Sequence, residues 1–274
     1  MHGLLALAAL HRKQLHSNEE DGYERTAQHH QTCALQASGS AFAHVTPGNC
    51  NALFASSSII TLLSFMHPLS TSNGPPKILD SFIDFMILIR GMTTVLHSVS
   101  DPKSESNPII NGKFGPLVDR QYHTLGFPLS PEIQDQFARL ERLQSSSSFF
   151  QHVFSVVINA LKAAFQTYAV IENDEGMVFV WASTPYEGFI AQLRSRIPFA
   201  LTILAHYAVL LQCIDQLWWS KGKGLELVEA ISDALPRNWQ QHIAWPLQTL
   251  RNGRRLCMDN GVVCVTSSTA HEME

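Results

Sequence analysis

Apolar positions along the chain recur mainly every three or four residues, the period of one helical face. Asp21 to Ser38 carries Tyr23, Ala27, His30 and Ala34 at that spacing, and Asn51 to Met66 reads as a second apolar helix stopped by Pro68. Ile78 to His97 is a longer one, with Phe82, Phe85, Met86, Ile89 and Met92 as its stripe. Further on, Ser130 is placed to cap a helix with Pro131 in its first turn and Ile133, Phe137, Leu140 and Leu143 on one side. Phe149 to Tyr168, Tyr186 to Arg196, Leu225 to Leu235 and Arg237 to Leu250 complete the helical series, the last broken near Pro246. Only Met177 to Trp181, MVFVW, has the character of a strand, with a merely buried connection as the alternative. The pattern predicts an all-α fold, a bundle of about 8–10 helices, with no repeat of fixed period.

One stretch differs from the rest because it has no polar side. Phe199 to Leu211 is apolar except for Thr202, His206 and Tyr207. Pro198 suits a first helical turn, and Gly222 and Gly224 supply a stop after Trp218 and Trp219. A helix over 198–219, apolar nearly all round, belongs at the centre of the bundle. It is too short to span a bilayer, which takes about 20 consecutive apolar residues. The run Leu4 to Leu10 near the start lacks a preceding positive charge and a small-residue cleavage site, so it reads as a buried first helix instead of a signal peptide.

Between Ser98 and Ser130 the composition shifts to Ser, Asn, Pro and Gly. The expected organisation is one helical domain over 1–250, in two halves (1–98 and 130–250) joined by a mobile loop at 99–129, and a polar, solvated tail at 251–274. Within that tail Cys257 and Cys264 are able to pair only under oxidising conditions, and RNGRR at 251–255 has too few basic residues to act as a nuclear signal.

Composition removes several functional classes. A net charge of −4 does not favour a polyanion such as DNA, and 15 % charged against 45 % hydrophobic residues describes a compact chain. Five scattered cysteines without a CxxC pair fit reduced thiols. There is no glycine-rich phosphate loop, HExxH, GxSxG or DDxxD-type carboxylate pair. His29 and His30 are adjacent, so on a helix they point to different sides and do not form a one-faced metal site. No catalytic or metal residue is expected. His206 has no acid on an adjacent turn to orient it, Asp215 being nine positions away. The candidate site is instead an apolar pocket. His206 or Tyr207 would supply a hydrogen-bond handle, Leu210 would face the ligand, and Trp218, Trp219, Gly222 and Gly224 would shape the rim.

The residues also carry a resemblance. IPFALTILAHYAVLLQCIDQLWWSKGKGLELVEAISDAL, followed by NWQQHIAWPL, resembles the helical regulatory region of fungal zinc-cluster transcription factors related to the sterol uptake control protein. MHGLLALAALH, HHQTCALQ and NALFASSSIITLLSF resemble that family's first three helices, so the likeness runs from Met1 to about Leu250. The resemblance implies a nuclear protein, shuttling with the cytoplasm, that regulates RNA polymerase II transcription. It also implies sensing of a sterol-like apolar small molecule and dimerisation with itself or its relatives. Full-length members carry an upstream six-cysteine, two-zinc DNA-binding domain. Here no cysteine lies within three residues of another, so neither zinc nor a direct nucleic-acid contact is expected of this chain. Met1 falls inside the family's first conserved helix, which suggests a truncated gene model or a natural short form, and Lys223 departs from the family between the two glycines. Two other functions compete with the regulatory one. They are a stand-alone interaction module that titrates full-length relatives, and a helical lipid-acting enzyme using His206 as base.

Overall fold

The computed structural model describes residues 1–16, 20–42, 46, 49–67, 77–99, 126–145, 151–167, 175–184 and 188–267. The turn-rich stretch at 70–76, Pro68, Tyr186, the end of the tail and most of the 99–129 loop lie outside them. Helix dominates, as the spacing predicts, and the chain divides into two compact units, Met1–Val118 and Asp119–Glu274.

The first unit holds α1 (His2–Leu15), α2 (Glu20–Phe42), α3 (Cys50–Met66) and α4 (Ile78–Val99). Ala6, Ala9 and Leu10 of α1 pack inward, whereas Leu4, Leu5 and Leu15 are exposed, so this helix is buried on one face only. Ala27 and Ala34 of α2 are small, which lets α1 and α3 approach it closely. The predicted stripe of α4 is buried throughout, and Phe82 and Phe85 close an aromatic cluster with Phe65 of α3. Glu24 ties three elements together, accepting from Lys13 at 2.8 Å and from His67 at 3.1 Å. Those two bonds hold its carboxyl below the usual carboxylate range.

The second unit contains α5 (Pro131–Ser145), α6 (Gln151–Thr167), α7 (Val180–Ser183), α8 (Phe189–Arg194), α9 (Pro198–Leu211), α10 (Lys223–Ala234) and α11 (Ala244–Arg251). Three 3-10 segments, Glu175–Phe179, Gln212–Ile214 and Arg237–Ile243, link them, and a hairpin of β1 (Arg254–Asp259) and β2 (Val262–Ser267) ends the described chain. Every residue of α9 from Phe199 to Leu211 is buried, and α5, α6, α8, α10, α11 and β1 all touch it. It is the axis of this unit.

Five expectations need correction or refinement. The central helix ends at Leu211, not at residue 219, because side chains beyond it offer the backbone other partners. Asp215 accepts the Gly222 amide at 2.6 Å, and the Ser220 hydroxyl bonds the Ile214 carbonyl, which together wind 212–222 into consecutive turns. MVFVW is a 3-10 segment running into α7, and its buried positions, Met177, Val178 and Trp181, follow a helical spacing. Ser130 precedes α5, yet its hydroxyl is buried without a hydrogen-bond partner, so the first turn of α5 is secured otherwise. The described part of the tail, 251–267, is not a solvated end. Asn260 and Gly261 both have positive φ (47° and 78°), the requirement of a type I′ hairpin turn, and an Asn-Gly pair is its strongest local signal. Leu256 pairs with Val265 and both are buried together with Val263, while the free edge of β2 is covered by hydrogen bonds from Val263 to Pro128 and from Ser130 to Val263. The predicted break near Pro246 falls at Ile243, which places the proline in the first turn of α11, where its missing N–H is harmless.

The two glycines have separate jobs. Gly222 sits at φ 77° and turns the chain into α10, a conformation that L side chains disfavour. Gly224 is the close approach, since a Cβ there would stand 2.8 Å from the Ala208 carbonyl oxygen and 3.5 Å from Leu211 Cβ. Replacing Gly224 with Ala is expected to push α10 off α9 and lower stability by about 1–3 kcal/mol in urea unfolding. An unchanged midpoint would show that the two helices tolerate the wider separation.

Candidate functional site

Neighbouring residues on a helix are about 100° apart, so His206 and Tyr207 look out from different sides of α9. The His206 ring stacks on Trp245 of α11 (centroids 5.8 Å, 23° between planes), and its Nδ1 lies 2.8 Å from the Thr202 carbonyl one turn back. A carbonyl only accepts, so Nδ1 carries the proton and donates it there. The Tyr207 ring stacks on Trp181 of α7 (4.6 Å, 24°), and its hydroxyl donates to the Val178 carbonyl at 3.1 Å. Thr202, the third polar residue of the helix, donates to Pro198 O at 2.9 Å. Each side chain that sequence offers as a polar handle therefore gives its proton to a backbone carbonyl, as burial demands.

Burial also sets their protonation. Desolvation lowers the His206 pKa to about 4, its bond to Thr202 opposing and the nearby His242 assisting, so the ring is neutral at physiological pH. The Tyr207 phenol is pushed up by burial and stays protonated. Asp215 does not orient His206, because its carboxylate is engaged by Gly222.

The remaining candidates lie at the C-terminal end of α9 and beyond it. Leu210 is buried in the helix, whereas Trp218 and Trp219 are half-buried in the turns that follow, with Trp219 stacked on Phe179 (6.1 Å, 29°). Gly222 and Gly224 shape the entry to α10 as described above. The structure thus separates the predicted set into two packing stacks on different sides of α9 and a semi-exposed aromatic turn.

Several participants escape sequence reasoning. Trp245, beneath His206, donates its indole N–H to Glu132 Oε1 at 2.7 Å. Glu132, in the first turn of α5, also takes two bonds from the Arg254 guanidinium, each of 2.9 Å, and Arg254 holds its carboxyl below the ordinary range. A continuous path of contacts runs from α9 through α11 and α5 to β1. Its members are 113 and 122 positions apart in the chain, and no local pattern announces such a pairing. Trp181 was visible only as part of an apolar run.

Among the described residues no group of three or more His, Cys, Asp or Glu could hold a metal ion, and no helix is long and apolar enough to cross a membrane. No protein-family model, curated protein or solved structure matches the chain.

Two outcomes follow from the stacks. Tyr207→Phe leaves the Val178 carbonyl without its donor, and chemical denaturation should show a loss of about 1–3 kcal/mol. His206 binds a proton less readily folded than unfolded, so stability is full above about pH 6.5 and falls as pH drops toward 4, by on the order of 3 kcal/mol. His206→Phe should flatten that part of the stability profile; a wild-type slope that survives the substitution would place the titration elsewhere.

Proposed function

We propose that this chain is the regulatory, ligand-sensing domain of a fungal zinc-cluster transcription factor that controls RNA polymerase II transcription in the nucleus, and that it responds to a sterol or another lipid-like molecule. The observation that carries the reading is the coincidence of resembling segments with packed helices. MHGLLALAALH, HHQTCALQ and NALFASSSIITLLSF fall on α1, α2 and α3, which touch one another, and the C-terminal segments fall on α9, α10 and α11, which do the same. A likeness of scattered letters would have no reason to keep to mutually packed elements.

The ligand's place in this reading is the aromatic turn after α9. Trp218, Trp219 and Phe179 are half-buried, and flat aromatic faces suit a rigid apolar molecule. His206 and Tyr207 act indirectly, holding Trp245 and Trp181 in position from within α9. Occupancy shifts the packing of α10 and α11 against α9 only to the extent that the ligand prefers one arrangement over the other. Zinc and DNA recognition belong to a separate cluster domain, and homodimers or heterodimers with relatives are the working assembly.

Titrating the purified chain with a sterol, and separately with a long-chain fatty acid, tests the sensing role. Expected are saturable quenching of tryptophan fluorescence and a rise in unfolding temperature. At a hundredfold excess over Kd the stabilisation is about 2.7 kcal/mol. Trp219→Ala should weaken binding by roughly tenfold, the loss of one aromatic contact of about 1.4 kcal/mol. No saturable response to either ligand class would remove lipid sensing from the proposal.

A further inference from the structure

Cys257 and Cys264 occupy one register position of the hairpin, directly opposite each other on β1 and β2. Val263, the next residue on β2, turns its amide and carbonyl away from β1 to Pro128 and Ser130. By the alternation of antiparallel ladders, the cysteine pair is therefore a hydrogen-bonded one, whose Cα atoms stand about 5.5 Å apart. Disulfides bridge Cα separations of about 4.4–6.8 Å. The sulfurs themselves are 2.8 Å apart, and forming a bond of about 2.05 Å needs only a small rotation of the two side chains.

The pair sits where chemistry can reach it. Leu256, Val263 and Val265 turn into the core, and the thiols, half-buried, project from the other face of the ribbon. Their surroundings are unequal. Cys257 Sγ is 3.3 Å from the Thr266 hydroxyl, which donates to it, and it faces the Cys264 thiol as well. Burial, and then the neighbouring Cys257, push the Cys264 thiol up to about 12, which keeps it as the protonated donor.

We propose that Cys257 and Cys264 form a redox-active dithiol, oxidised by a small-molecule disulfide of the glutathione class to an intramolecular disulfide that locks the hairpin. The Cys257 thiolate attacks one sulfur of the oxidant, forming a mixed disulfide and expelling the first thiolate. Cys264 then gives up its proton and attacks the Cys257 sulfur, expelling the second thiolate. Two protein thiols are oxidised, and the reagent is reduced to two thiols that carry the released protons.

The place of the lock in the fold gives it a consequence. Arg254, on β1, holds Glu132 and through it the first turn of α5, and β1 also touches α9 and α11. A covalently closed ribbon limits the opening of the strands on which that clamp is mounted.

The test uses the full chain, folded and reduced, titrated with oxidised glutathione against reduced glutathione. The expected product loses two hydrogens, mapped by mass spectrometry to one peptide containing both residues, while Cys33 and Cys213 remain alkylatable. Cys264→Ser should trap glutathione on Cys257, and Cys257→Ser should react at least tenfold more slowly than wild type. Hydrogen exchange of the hairpin amides should slow on oxidation of the wild type and be unchanged by the same treatment of either variant. The proposal is overturned if glutathione accumulates on both sulfurs of the wild type without ring closure, if Cys33 or Cys213 oxidises first, or if closure leaves the exchange of the hairpin unaltered.

Discussion

A helix surrounded on every side has no water to satisfy its polar atoms, and this constraint organises the whole of the second unit. In α9 the backbone is satisfied by its own ladder, but Thr202, His206 and Tyr207 bring three further polar groups into the interior. Leaving any of them unpaired would cost about 1–3 kcal/mol, a large share of a typical domain's net stability. Two are resolved within the helix, on Pro198 O and Thr202 O, and the third reaches out to Val178. That outward bond explains why Glu175–Phe179 runs where it does, and the indole of Trp181 is anchored by its own N–H on Val157 O at 3.2 Å. Polar satisfaction of one residue thus fixes the approach of two neighbouring elements.

The opposite stack works through electrostatics as well as packing. A neutral imidazole can lie flat on Trp245 with little cost, whereas a protonated one would be stranded without water. Trp245 is then held at its far edge by Glu132, whose charge is in turn matched by Arg254. Since Glu132 and Arg254 are both partly exposed, their ion pair contributes modestly by itself, and its importance is geometric. It ties the start of the unit to its last element.

Sequence made the elements legible more readily than their ends or their contacts. The burial of Phe199 to Leu211 follows from composition, since a helix without a polar face can only be interior. Its termination does not, because it depends on Asp215 reaching seven residues forward to Gly222, a bond that hydropathy does not encode. MVFVW misleads for a related reason, as five apolar residues fit a strand and a short buried helical turn equally well. The hairpin was readable in principle from Asn260-Gly261 between Val-rich and Leu-Cys-Met segments, but the polar residues around it weigh toward a solvated end. Of the candidate site, the rim residues Trp219, Gly222 and Gly224 were legible as a turn. The uses of His206 and Tyr207 were not, because their partners are backbone carbonyls, identical at every position of any sequence.

These arrangements also show how a small event at the aromatic turn would travel. Gly224 lets α10 approach α9 closely, since a Cβ there would stand 2.8 Å from the Ala208 carbonyl oxygen and 3.4 Å from the Leu250 side chain of α11, so the junction of the three helices has little slack. Close packing of this kind has few intermediate positions, and displaced helices move as bodies into another arrangement or not at all. In the proposed reading, a group beside Trp219 meets Phe179 first, and any displacement of α11 would reach Glu132 and the base of β1 through the Trp245 indole. Coupling along such a path exists only if both arrangements are close in free energy, which makes the tightness at Gly224 and the neutrality of His206 the two quantities that set its size.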